Sequence, residues 1–176
     1  MNAGIPKALF AEFGIPTDYG SDPPLRRYAE APKLEDVGSN IVGRPQSLTP
    51  AAAMAWHDMV EMASADAITL LLVSGFRSIA YQGELIRNKL SAGQSIADIL
   101  TVNVAPGFSQ HHTGNAIDIA TPGTKPLLEE FENSVAFAWL QKNAAQFGFV
   151  LSYPRDNAEG IVYEPWHWYR NTDQPD

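Results

Sequence analysis

The order in which two periodicities occur along this chain constrains its fold more than any other feature. Apolar residues recur at helical spacing through Ala52, Ala53, Trp56, Val60 and Ala63, whereas the later chain breaks into short β-rich runs bounded by Gly and Pro. Helices lead and strands cluster late. That order predicts an α+β fold, with helices packed on a mainly antiparallel sheet. Thr49 is the expected N-cap of the first long helix, with Pro50 at the position where a missing N–H costs nothing. The run Ile68 to Val73, closed by Ser74-Gly75, reads as a buried strand. Helices are expected over Ile79–Leu90, Ser95–Leu100 and Ser134–Gln146, the last stopped by Gly148. Two short strands around Thr113-Gly114 are expected between Pro106 and Ala120. Closing strands are expected at Phe149–Ser152, Ile161–Tyr163 and Trp166–Trp168. Residues 1–46 hold Pro6, Pro16, Pro23, Pro24, Pro32 and Pro45 and show no sustained period, so they read as an arm wrapping a domain formed by 47–176.

Composition narrows the chemistry. The chain has 176 residues, 45% hydrophobic and 18% charged, enough to bury one sizeable core. A net charge of −8 repels phosphate backbones and anionic membrane surfaces, which argues against nucleic acid as a partner. Cysteine is absent, which removes disulfides, thiolate metal sites and cysteine nucleophiles together. Any metal must therefore be held by His, Asp or Glu, and the only histidines are His57, His111, His112 and His167. The longest apolar run falls far short of the ~20 residues of a membrane span. Met1-Asn-Ala-Gly-Ile-Pro-Lys7 lacks the basic start and apolar stretch of a leader. The expectation is either a cytoplasmic protein or a cell-envelope protein already trimmed of its leader. Oligomeric state is not legible.

Three segments carry candidate chemistry. In Ser109-Gln-His-His-Thr-Gly-Asn-Ala-Ile-Asp118, adjacent histidines on an extended backbone point to opposite faces, so only one of them can join Asp118 on a metal. A turn at Thr113-Gly114 folds the chain back toward that carboxylate. On spacing alone, a histidine hydrogen-bonded to a turn carboxylate is the commoner reading. In Tyr163-Glu-Pro-Trp-His-Trp168, a carboxylate and a histidine three apart sit among tryptophans. A regular strand would place Glu164 and His167 on opposite faces, and Pro165 is the residue able to bend the chain and unite them. In Ser74-Gly-Phe-Arg-Ser78, Arg77 sits on the loop leaving the buried strand, where its planar fork suits a carboxylate.

Together these segments resemble the zinc D-alanyl-D-alanine carboxypeptidase family of the VanY type. The pattern S-x-H-x-x-G-x-A-x-D is met by Ser109, His111, Gly114, Ala116 and Asp118. E-x-x-H is met by Glu164 and His167, and S-G-[YF]-R-S…Q by Ser74 to Ser78 with Gln82. The resemblance runs from about residue 36 to the end. It implies a Hedgehog/DD-peptidase-like fold carrying a single zinc site, with His111, Asp118 and His167 as ligands and Glu164 as catalytic base. It also implies that Arg77 and Gln82 bind the terminal carboxylate of peptidoglycan stem peptides, assisted by Ser109; Trp166 and Trp168, by residue type, read as core or pocket wall. Removal of a C-terminal D-alanine, with D,D- or L,D-specificity, is the implied reaction.

Two rival readings fit the same motifs: a zinc-bearing peptide-binding module without catalysis, and a cell-wall endopeptidase on the same metal fold. A proton-shuttling Glu164 argues against the first, and a carboxylate clamp at Arg77 against the second. His112 reads as a supporting or surface residue, and His57 as a residue of a polar helix face. Tyr81 and Tyr153 are open between pocket lining and packing.

Overall fold

The computed structural model describes residues 7–171. The start of the arm, with Pro6, and residues 172–176 lie outside that range. An antiparallel sheet forms the centre, in the spatial order β3 (Leu71–Ser74), β4 (Ala116–Ala120), β6 (His167–Arg170), β5 (Phe149–Leu151). Three antiparallel pairings build it, and a separate ribbon joins β1 (Glu35–Ser39) to β2 (Pro45–Leu48).

The long helix α2 (Pro50–Ala65) starts where its capping chemistry places it: the Thr49 side chain accepts a hydrogen bond from the Ala52 N–H, and Pro50 opens the first turn. Ala52, Trp56, Met59 and Ala63 form its buried seam, so Met59 takes the place expected of Val60. Helix α5 (Val135–Asn143) ends earlier than expected and passes into a 3₁₀ turn over Ala144–Phe147, closed by the left-handed Gly148. These elements bury one face of the sheet. Ile117 and Ile119 of β4 are wholly inaccessible there, packed with Trp168, Phe137 and Phe149. Burying each such side chain is worth roughly 1.5–3 kcal/mol.

Because side chains alternate along a strand, Asp118 must point to the opposite face. On that side Asp118 lines a cavity together with residues of α3 (Ile79–Ser91), of α4 (Ile96–Val102) and of the arm. The arm is more structured than its sequence indicates. It contains α1 (Lys7–Phe13) and β1, and β2 crosses from residue 46 into 47. Phe10, Phe13 and Ile15 form a second core with Ile86, Ile99 and Phe108.

Two expected strands are absent. The segment before Gly114 is a 3₁₀ turn over Gln110–Thr113, because the Ser109 side chain accepts from the His111 N–H and Gly114 ends the turn at φ +67°. A side chain at Gly114 would also sit 2.9 Å from Leu34. Residues Ile161–Tyr163 are irregular, because Asn157 saturates that backbone: its side chain donates to the Ile161 carbonyl and accepts from the Ile161 N–H. No described helix is long and apolar enough to cross a membrane.

Candidate active site

Register brings the candidate ligands together. Asp118 pairs directly across the sheet with His167, and with Ser74 on its other side, where the β3 register shifts between Leu72 and Ser74. Cross-strand partners share a face, so the Asp118 and His167 side chains meet, with Asp118 Oδ1 2.9 Å from His167 Nδ1. The 3₁₀ turn swings His111 onto the same point, its Nε2 3.2 Å from Asp118 Oδ2. One ligand atom from each of His111, Asp118 and His167 lies within 4.8 Å of the others, and all three residues are buried.

The outer nitrogens of the two rings are occupied. His111 Nδ1 donates to the Gly75 carbonyl at 2.7 Å. His167 Nε2 donates to Gln110 Oε1 at 2.9 Å, while Gln110 turns its amide nitrogen to the Tyr28 hydroxyl. These outward contacts turn the other ring nitrogen of each histidine onto the Asp118 carboxylate, where a cation can take the place of the proton between them. Two ring nitrogens and a carboxylate thus converge. This donor set fits a borderline-soft divalent ion such as zinc. Burial, reinforced by Arg77 and His167, pushes the pKa of His111 down against the pull of Asp118, which favours the form that can ligate. Burial alone would raise the Asp118 pKa; the facing histidines overcome it and hold the carboxyl well below the usual carboxylate range.

Glu164 reaches the same centre by a tight turn. The His167 N–H donates to the Glu164 carbonyl at 3.0 Å, with Pro165 at the second turn position, where its fixed φ is favourable. The turn replaces the strand expected at Trp166, and β6 begins at His167. It places Glu164 Oε2 3.8 Å from His167 Nδ1. Burial, with Asp118 adding to it, outweighs His167 and Arg77 and pushes the Glu164 pKa up to about 7.

Arg77 projects from the loop after β3, with Nη1 donating to Gln82 Oε1 at 3.0 Å and Nη2 lying 4.0 Å from Asp118. Gln82 is almost wholly buried and donates onward to the Val104 carbonyl at 2.7 Å. Ser109 caps the His111 turn, and Trp166 is half-buried beside the core. All eight sequence-predicted residues (Arg77, Gln82, Ser109, His111, Asp118, Glu164, Trp166 and His167) line one cavity of about 870 Å³.

Other residues support this centre, among them His112 and Tyr153, whose roles the sequence leaves open. His112 is fully buried: Nδ1 donates to the Arg77 carbonyl at 2.6 Å, and Nε2 accepts from the Gly107 N–H at 3.1 Å. It is thus neutral and fastens the Arg77 loop, which excludes the surface reading. Tyr153 stacks on His167, with ring centroids 4.9 Å apart, and lines the cavity, whereas Tyr81 is exposed and does not. Gln110 orients His167; the only sequence signal for it was a polar side chain next to a candidate ligand.

Three protein ligands with a carboxylate poised beside them are how catalytic zinc sites are built, since structural sites normally use four. The centre therefore has the make-up of a catalytic rather than a structural metal site. Residues 45–171 match the model of the family VanY, D-alanyl-D-alanine carboxypeptidase, and the chain belongs to that family. A D-alanyl-D-alanine carboxypeptidase of Enterococcus faecalis is 32% identical over 122 residues, which cover 64% of this chain and 44% of that protein. The chain thus spans under half the length of that relative. Among solved structures, the LdcB LD-carboxypeptidase superposes with a TM-score of 0.66 at 28% identity, covering 82% of this chain and 65% of LdcB. The vancomycin-resistance D,D-pentapeptidase VanY, in complex with Zn(II), superposes with a TM-score of 0.63 at 27% identity, covering 85% and 87%.

Proposed function

We propose that this chain is a zinc carboxypeptidase that removes C-terminal D-alanine from peptidoglycan stem peptides. The observation that carries this reading is the convergence, in one cavity, of the His111 and His167 ring nitrogens, the Asp118 carboxylate, the Glu164 carboxylate and the Arg77 guanidinium. His111 Nε2, Asp118 and His167 Nδ1 would hold the zinc, as the donor geometry supports. Zinc bound there supplies Lewis acidity, polarising the scissile carbonyl and bringing water's pKa to about 7.

The remaining work falls to side chains. Arg77 binds the substrate's terminal carboxylate through its fork, and the buried Gln82 holds that fork in place. Ser109 lines the same wall. Glu164 accepts the proton from the attacking water as the carbonyl carbon gains its new C–O bond. It then returns that proton to the amine as the C–N bond breaks, giving a shortened peptide and free alanine. His167 and Tyr153 form a stacked floor that fixes one ligand, while Trp166 walls the pocket.

The distinguishing experiment replaces the base alone. Glu164→Gln keeps the shape, and zinc content and peptide affinity should stay near wild type while turnover falls at least ~10²-fold. A turnover within a few-fold of wild type would remove Glu164 from the reaction. Peptide binding with no hydrolysis by the wild-type protein would favour a binding module.

A further inference from the structure

The family match begins at residue 45, yet Asp18, Tyr19, Gly20, Ser21, Asp22 and Pro23 line the cavity. We infer that this stretch of the arm is a fixed strap that closes the cavity behind the carboxylate clamp and restricts cleavage to the last peptide bond. The inference deepens the carboxypeptidase reading and rests on it.

On one side the Tyr19 hydroxyl accepts from the Ala105 N–H at 3.3 Å, next to the Val104 carbonyl that holds Gln82. The strap therefore touches the same loop that fixes the clamp. On the other side Pro23 packs over Gly160, where an added Cβ would stand 3.1 Å from the proline ring. Gly160 belongs to the loop leading to Glu164 and also lines the cavity. Residues 19–23 thus run from one wall to the other, with their tip turned back by the Ser21–Pro24 bridge.

The strap is anchored at both ends. Before it, Phe10, Phe13 and Ile15 are buried against Ile86, Ile99 and Phe108, and Glu12 takes a two-pronged contact from Arg87 at 2.8 and 3.1 Å. After it, the Tyr28 and Ala31 N–H groups donate to the carbonyls of Gly107 and His112, each at 2.8 Å. Gly20, at φ +77°, lies so close to Phe108 that a Cβ would come within 2.7 Å of its ring. A segment held this closely acts as a wall, and a leaving group longer than one residue must meet it.

The test uses the zinc-loaded full chain and two peptides. One ends in D-alanine with a free carboxylate. The other is lengthened by one residue through an N-methylated amide, so that only the penultimate bond can be cut and a dipeptide is released. Replacing Ser21-Asp22-Pro23-Pro24 by Gly-Gly leaves the Phe10, Phe13 and Ile15 anchor untouched; Pro23→Gly is a milder second variant that changes only the contact over Gly160. Wild type should release alanine and little dipeptide. The ratio of dipeptide to alanine release should rise at least tenfold in the Gly-Gly variant, and in the same direction by less in Pro23→Gly. An unchanged ratio in both variants, with alanine still released, overturns the strap and leaves the carboxypeptidase standing. Failure of wild type to release alanine from the first peptide overturns both.

Discussion

Glu164 combines a cost to stability with the role of base proposed for it. Its usual value of 4.5 is pushed up to about 7, largely by burial. The folded protein therefore keeps this proton to higher pH than the unfolded chain does. Without metal, the resulting penalty is absent below about pH 4.5, grows as pH rises toward 7, and is fully present above it, at about 3 kcal/mol. Glu164→Gln should accordingly stabilise the metal-free protein at pH 8 by about 1–3 kcal/mol and leave it nearly unchanged at pH 4.5. Thermal melts in chelator at the two pH values check this; equal effects at both would mean the carboxylate is not penalised. Zinc should shrink the difference, because a nearby cation favours the ionised form. The two adjacent histidines give a second test. His111→Ala should abolish tight zinc binding, whereas His112→Ala should keep the metal and weaken the grip on the Arg77 loop, where His112 holds the Arg77 carbonyl. Metal analysis of the two purified variants decides; zinc retained in His111→Ala but lost in His112→Ala would reverse the assignment.

At the scale of elements, one residue joins a helix start to the site. Thr49 caps α2, donates its hydroxyl to Asn115 Oδ1 at 2.5 Å, and gives its N–H to the Gly114 carbonyl. Thr49→Ala should therefore cost about 1–2 kcal/mol, at the upper end for a lost cap, measured by denaturant unfolding. A loss within a few tenths of wild type would show the cap to be redundant. The helix start was legible because capping is a local matter: Thr and Pro stand side by side. The same locality made Arg77, Asp118 and the Glu164–His167 pair readable from motifs. What stayed hidden depends on competition between backbone partners. Asn157 takes up the hydrogen bonds of Ile161, and Ser109 tightens the chain into a 3₁₀ turn, so two β-rich runs never form strands. Helix α1, seven residues long, is too short to display a period, and it is held by Phe10 and Phe13 packing on distant elements. The roles of Gln110 and His112 likewise exist only once Tyr28, Gly107 and Arg77 have been brought beside them.

At the scale of the whole molecule, the site is a joint product of the sheet, the motif loops and the arm, so metal binding should register as global stability. Zinc that binds only the folded chain adds about 2.7 kcal/mol at a free concentration one hundred times its Kd. A melting shift of roughly 5–10 °C on adding zinc is expected for a chain of this size, and none in Asp118→Ala. The cavity is proposed to remove D-alanine from a peptide with a free carboxyl end. The most direct measurement is mass spectrometry of D-alanine-terminated stem peptides incubated with the zinc-loaded protein. The expected result is loss of one alanine, stopped by chelator and reduced roughly 30- to several-thousand-fold when the C-terminus is amidated, since the Arg77 clamp loses its charged partner. Unchanged peptide masses, or equal cleavage of free and amidated ends, would contradict it.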